Sequence, residues 1–120
     1  MSEDYIYFKD KFTFEQRKQE STRIIQKYTN RIPVIVERAQ GCKNVDLIDK
    51  NKYLIPRDLT LGQLQYVIRK RLTLTSEQGL FLFINEQMYP VTHNISQIYN
   101  DSHDDDKFLY IKYSGENTFG

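Results

Sequence analysis

The sequence predicts an α+β domain built on one sheet, and three stretches carry that expectation. Ile32-Pro33-Val34-Ile35-Val36-Glu37 is a continuous β-branched run, which marks a buried strand. Phe108, Tyr110 and Lys112 alternate with Leu109, Ile111 and Tyr113, a period of two that points to a strand and not a helix. Leu61, Leu64, Ile68 and Leu72 recur at spacings of 3, 4 and 4, so they fall on one helical face. Periodicity of this kind establishes a sheet with helices packed on it and goes no further.

In order along the chain, Tyr5, Phe8 and Phe12 are separated by 3 and 4 residues and predict a short amphipathic helix within 1–12. Thr13 with Gln16 forms a capping box for a second helix, whose buried stripe is expected to be Phe14, Ile24, Ile25 and Tyr28. Glu15, Arg17, Lys18, Glu20 and Arg23 are expected on its solvated face. Asn30, ahead of Arg31 and Pro33, ends it. The strand from Ile32 follows, with Pro33 near its start, where a missing N–H is tolerated. Residues 38–50 read as a loop with at most one helical turn. Lys52-Tyr53-Leu54-Ile55-Pro56 is a second strand, and its closing proline marks an edge. Thr60 and Gln63 repeat the capping box at the head of the Leu61 helix, and Arg69-Lys70-Arg71 place cations at its negative end. Leu80 to Ile84 is expected as a central strand and 85–90 as a turn. Asn94 starts a short helix carrying Ile95, Ile98 and Tyr99, and 101–106 forms a solvated acidic loop. The strand from Phe108 closes the order.

At 120 residues the chain is one domain, large enough for a core without staples. Its 17 Lys and Arg against 16 Asp and Glu argue against a nucleic-acid partner, leaving electrostatic recognition to local patches. Cys42 is the only cysteine, which excludes an internal disulfide and a cysteine-based metal cluster and fits a reducing compartment. No apolar run approaches membrane-spanning length and no leader is expected, so the chain is expected to reside in the cytosol, any membrane attachment being acquired later. His93, His103 and Cys42 form no catalytic spacing, and Asp104-Asp105-Asp106 lacks the spaced ligands and glycine of a calcium loop. No enzyme, cofactor or metal is expected.

After Tyr113 the chain turns polar, Ser-Gly-Glu-Asn-Thr, before Phe119 and Gly120. Such a segment cannot bury enough surface to offset its ordering entropy and is expected to leave the fold as a mobile arm. Seven extended residues reach about 25 Å, carrying the Gly120 carboxylate clear of the body. A terminal glycine leaves its carbonyl unobstructed and suits passage through a narrow active site.

That ending, Phe-Leu-Tyr-Ile-Lys-Tyr-Ser-Gly-Glu-Asn-Thr-Phe-Gly, resembles the C-terminal signature of the autophagy ubiquitin-like modifiers, the GABARAP and light-chain-three type proteins. Four further stretches resemble the same family: Phe14 to Lys18, Asn30 to Ile35, Asp49 to Pro56, and Gly62 to Arg71. Together they span nearly the whole chain from Phe14. The resemblance implies a ubiquitin-like β-grasp, a four-stranded mixed sheet packed on a central helix, with two additional N-terminal helices. It divides the chain into an N-terminal helical extension (1–29), the ubiquitin-like core (30–113) and a conjugation tail (114–120).

The resemblance also implies that Gly120 is joined to phosphatidylethanolamine by separate activating and conjugating enzymes, with a deconjugating cysteine protease as a further partner. It implies residence on autophagosomal and related vesicle membranes and delivery to a vacuole or lysosome. Receptors carrying an aromatic residue and, three positions on, an aliphatic one would add as a strand beside the second strand, with alternate side chains pointing one way into two pockets. By position, Glu20, Ile24, Pro33, Lys50, Lys52, Leu54 and Phe108 match the aromatic pocket. Tyr53, Ile55, Pro56, Leu59, Leu64 and Val67 match the aliphatic one. Lys50, Lys52, Arg31 and Arg71 would meet acidic residues flanking the motif. Phe81, Leu82 and Phe83 match a second docking surface, although a buried strand explains the inward-pointing ones equally well.

Three features depart from the family pattern. The 38–49 loop is about one residue longer than is usual, Lys107 stands where glycine is usual, and no residue follows Gly120. The last leaves a processed form, a truncated form and one made ready for activation as alternatives. An unconjugated ubiquitin-like adaptor in vesicle traffic or cytoskeletal attachment is the competing function.

Overall fold

The computed structural model describes residues 5–117. Its elements are α1 (Phe8–Lys11), α2 (Phe14–Lys27), β1 (Arg31–Arg38), β2 (Lys52–Pro56), α3 (Leu61–Leu72), β3 (Phe81–Phe83), α4 (Ile95–Ser102) and β4 (Leu109–Ser114). The four strands form one sheet in the order β2-β1-β4-β3. β1 runs parallel to β4 and antiparallel to β2, and β3 runs antiparallel to β4, so the sheet is mixed.

Alternation along β1 assigns the two faces. Ile32, Val34 and Val36 join Leu64, Ile68, Ile95 and Ile98 in the main core, beneath α3 and α4. Ile35 points the other way, into a smaller cluster with Phe8, Ile24 and Phe108 beneath α1 and α2. Pro33 falls where β1 has not yet joined β4, whose ladder begins at Val34–Leu109, so its missing N–H interrupts no pairing.

Both expected capping boxes form, Thr13 with Gln16 and Thr60 with Gln63, and the α3 stripe Leu61, Leu64, Ile68 and Leu72 is buried throughout. Several expectations are overturned. The first helix shrinks to α1, because residues 5–7 lie outside any helix, Tyr7 is extended and Tyr5 bonds Glu37 of β1 at 2.7 Å. Phe14, Ile25 and Tyr28 are 40, 36 and 39% exposed, leaving Ile24 the only buried member of the α2 stripe. Arg17, assigned to solvent, and Ser21 are buried in their place. Leu80 to Ile84 is not a central strand: β3 is three residues long and forms the sheet edge opposite β2. Its apolar character reflects burial by helices and not an inner position in the ladder. Residues 38–50 contain no helical turn. They are pinned by Tyr113, whose hydroxyl donates to the Asp46 carbonyl at 2.6 Å and accepts from the Ile48 N–H at 2.8 Å. Ser114, expected to begin the tail, is the last residue of β4 and is buried.

The acidic loop is not a solvated turn either. Asp106 is fully buried. Arg17 Nε donates to its Oδ2 at 2.7 Å, the Tyr110 hydroxyl donates to the same oxygen at 2.5 Å, and the Phe108 N–H donates to Oδ1 at 2.9 Å. Ser21 Oγ donates to the Asp106 carbonyl at 2.5 Å. Burial is the largest single influence and works against the Arg17 charge, but the bond to Asp106 together with the nearby Tyr110, Asp106 and Asp104 groups outweighs it and holds the pKa up. α2 is thereby fastened to the turn preceding β4.

In that turn Lys107 has φ +76, a left-handed conformation that crowds its Cβ. Relief of about 1–2 kcal/mol of strain outweighs the added unfolded-state entropy of about 0.4–1 kcal/mol, so Lys107→Gly should stabilise the fold. Thermal unfolding should show a higher midpoint. An unchanged or lower one would mean that the turn tolerates the side chain without strain.

Candidate functional site: an open sheet edge between two apolar recesses

β2 has a partner on one side only, so its other side is the free edge that its proline predicted. The Val36 N–H donates to the Asn51 carbonyl at 2.7 Å, which sets the phase of the antiparallel ladder. In that phase Val34–Tyr53 and Ile32–Ile55 are the bonded pairs, and Lys52 and Leu54 turn their N–H and C=O groups outward. Five residues with outward groups at Lys52 and Leu54 form a template for one short strand. Pro56 supplies no N–H and ends it.

The side chains of β2 divide between the two faces of the sheet. Leu54 packs against the cluster of Ile24, Ile35 and Phe108 on the α2 side. Lys52 pairs there with Glu20 of α2. Tyr53 and Ile55 belong to the opposite face, with Leu64 and the partly buried Leu59. The two residue sets named from the sequence therefore lie on opposite sides of the sheet, not on one side as alternate side chains would require. The difference is favourable. Residues three apart on a strand point to opposite faces, so an aromatic-x-x-aliphatic interval suits recesses on both.

Within the first set, Ile24, Pro33 and Phe108 are buried and form the floor, while Leu54 and Lys52 are partly exposed at the rim. Lys50 is carried elsewhere, its ammonium 5.1 Å from the centre of the Tyr53 ring. In the second set, Tyr53, Ile55 and Leu64 are buried and Pro56 and Leu59 are partly exposed, while Val67 is 41% exposed. Burial raises the pKa of the Tyr53 phenol, against the opposing pull of Arg71, and its hydroxyl lacks a hydrogen-bond partner among the described residues. Leu59 and Val67 continue into a shallow groove with Tyr66 and Val91, which are 60 and 53% exposed. Those two were missed in the sequence because Tyr66 lies off the buried stripe of α3 and Val91 sits in a loop. An exposed aromatic beside a stripe was the available signal.

Of the rim cations, Arg71 donates to Asp49 from Nε to Oδ1 at 2.9 Å. Arg31 reaches across the edge, and its Nη1 donates to the Leu54 carbonyl at 3.2 Å, one of the outward acceptors. An incoming strand would compete with it for that oxygen. At the opposite edge, Leu82 is in the main core, Phe83 is buried and Phe81 is partly exposed. Of the three residues matched to a second docking surface, only Phe81 offers appreciable surface. Gly120 lies outside the described residues. Among them, no group of three or more His, Cys, Asp or Glu residues is arranged to hold a metal ion, and no helix is long and apolar enough to cross a membrane.

A strand pair, a helix across the sheet and two further strands make this a ubiquitin-like protein with two helices added in front. The family described as "Autophagy protein Atg8 ubiquitin like" matches residues 16–120. Autophagy-related protein 8 of Coccidioides immitis is 54% identical over 113 residues, covering 94% of this chain and 96% of its own. The proteins of the same name from Kluyveromyces lactis and Candida glabrata are 54 and 51% identical over 113 residues, covering 94% of this chain in each case and 90 and 95% of their own. The chain belongs to the autophagy-related protein 8 family.

Proposed function

We propose that this chain is a modifier whose Gly120 carboxylate is joined to the amine of phosphatidylethanolamine, and whose β2 edge then recruits receptors to the modified membrane. The acyl transfer belongs to separate activating and conjugating enzymes, a cysteine protease reverses it, and this chain supplies the substrate carboxylate and the docking surface. The membranes are those of autophagosomes and related vesicles, with delivery to a vacuole or lysosome.

The observation that carries the receptor reading is the free β2 edge with apolar recesses on both faces. A peptide strand pairing with the Lys52 and Leu54 backbone would place an aromatic side chain over Leu54, Ile24 and Phe108. Its aliphatic side chain, three residues on, would reach Ile55, Leu59, Leu64 and Val67. Lys50, Lys52, Arg31 and Arg71 would meet acidic flanking residues, a contribution that salt should weaken selectively.

Tyr53 and Leu54 point to the two recesses from adjacent positions, so replacing both with alanine tests both at once. The double variant should lose roughly 2 kcal/mol or more of affinity for an aromatic-x-x-aliphatic peptide by calorimetry, the usual scale for central interface residues. Unchanged affinity in a folded double variant would remove these residues from the site.

A further inference from the structure

A second surface lies at the end of the molecule where β1 begins. A cleft of about 410 Å³ opens there between α2, β1 and α4. Arg31, Arg57 and Lys107 line it, with the hydroxyls of Thr22 and Thr29 beside them and an apolar floor that includes Ile32 and Tyr99. All three cations are exposed, and no carboxylate lines the cleft. Among the described residues none of the three takes part in an ion pair, whereas Lys9, Arg17, Lys52, Arg71 and Lys112 all do.

Converging like charges repel, and a chain of net charge +1 has enough carboxylates to neutralise them. The arrangement is held in place nonetheless. The backbone of Arg57 is fixed at both groups, its N–H donating to the Asn30 carbonyl at 3.3 Å and its carbonyl accepting from the Ser96 N–H at 3.2 Å. The backbone of Lys107 is fixed through its carbonyl, which accepts the Tyr99 hydroxyl at 2.7 Å. Lys107 also carries the left-handed strain described above, at a position where glycine would relieve it and remove the charge. Burial raises the pKa of the Tyr99 phenol, against the opposing pull of Arg57.

We infer that this cleft binds a phosphorylated segment of a protein partner. The Arg57 guanidinium and the Lys107 ammonium beside hydroxyl-bearing side chains match the several acceptor oxygens of a phosphate, Arg31 adding its charge at the rim while its Nη1 stays on the Leu54 carbonyl, and the apolar floor accommodates the chain that bears the phosphate. A lipid headgroup is disfavoured by position. β1 and β4 are parallel, and the cleft lies where both begin, while the tail leaves from the end of β4. An eight-residue strand spans about 25 Å. If the conjugation proposed above holds, the modified membrane is at the far end of the sheet.

The test uses the full isotope-labelled chain and the peptide acetyl-Ala-phosphoSer-Ala-amide, with its unphosphorylated twin as control. Saturable chemical-shift changes are expected at Thr29, Arg57 and Lys107 with the phosphorylated peptide only, weakening in 0.5 M salt. Arg57→Gln with Lys107→Gln should weaken binding about ten-fold, a loss on the scale of charge-assisted contacts. The affinity for an aromatic-x-x-aliphatic peptide should be unchanged, which separates this inference from the β2-edge reading. Should the double variant fail to fold, Lys107→Gly alone should weaken binding about three-fold while raising the unfolding midpoint. Sedimentation with phosphatidylcholine vesicles with or without phosphatidylinositol phosphate should show no binding. The inference is overturned by equal shifts from both peptides, by none at millimolar concentration, or by vesicle binding without peptide binding.

Discussion

Asp106→Ala should cost about 3–5 kcal/mol of unfolding free energy, the range for breaking a buried ion pair by removing one partner. The Asp106 side chain is fully buried and that of Arg17 is 10% exposed, so solvent cannot replace what is lost. Three donors converge on this carboxylate, from Arg17, Tyr110 and the Phe108 backbone. Removing it leaves a buried guanidinium without its counter-charge, 5.8 Å from the centre of the Phe14 ring. Arg17 would keep its bonds to the carbonyls of Phe12 at 2.7 Å and Lys9 at 3.3 Å, which limits the damage without offsetting the charge. The pair need not be better than an apolar one of equal shape. Changing both residues, Asp106→Leu with Arg17→Met, should recover part of the loss. Chemical denaturation measures all three variants. A loss below about 1 kcal/mol for Asp106→Ala, the scale of an exposed pair, would show that water reaches the site after truncation.

Deletion of Gly120 should abolish lipid conjugation while leaving the thermal midpoint and motif-peptide affinity unchanged. In the proposed conjugation the acyl donor is the glycine carboxylate, and the deletion puts in its place the carboxylate of Phe119, whose side chain obstructs the carbonyl that glycine leaves open. With activating enzyme, conjugating enzyme, ATP and phosphatidylethanolamine liposomes, the full chain should gain the mass of the lipid and the deletion should not. The consequence for location is large, because each buried CH₂ contributes about 0.8 kcal/mol and two acyl chains anchor stably where one does not. A lipidated deletion, or a full chain that forms no thioester where another family member does, would leave an unconjugated adaptor as the better account.

The elements most legible in the sequence were those where local chemistry and tertiary packing agree. α3 is the clearest, with its capping box, its stripe at 3, 4 and 4, and full burial of that stripe. β2 as an edge followed from one proline. α2 was legible in its start and misread in its faces. A helix lying on a sheet by one narrow strip can bury Arg17 and Ser21 if a partner waits for them, and that partner, Asp106, is 89 residues away. No window of sequence contains both. The same distance hid the role of the acidic loop, which looks like a solvated charge run until Arg17, Lys9 and Tyr110 are placed around it. The candidate site was legible as residue types, because β2 carries most of them. Its division between two faces was not, because it depends on which helix covers each side.

The free edge of β2 also bears on how copies of this protein behave beside one another. If the proposed conjugation holds, a membrane that carries the chain by its tail concentrates identical open edges in one plane, the condition under which exposed strands pair with each other. Three features described above work against that. The edge is five residues long, Pro56 deprives its end of a donor, and Lys50 and Lys52 would bring like charges into every such pairing. Arg31 already occupies the Leu54 carbonyl in the uncombined chain. A short, charged and partly covered strand of this kind stays open to a ligand with complementary anchors while discouraging its own twin, so a crowded surface can remain a field of separate binding sites.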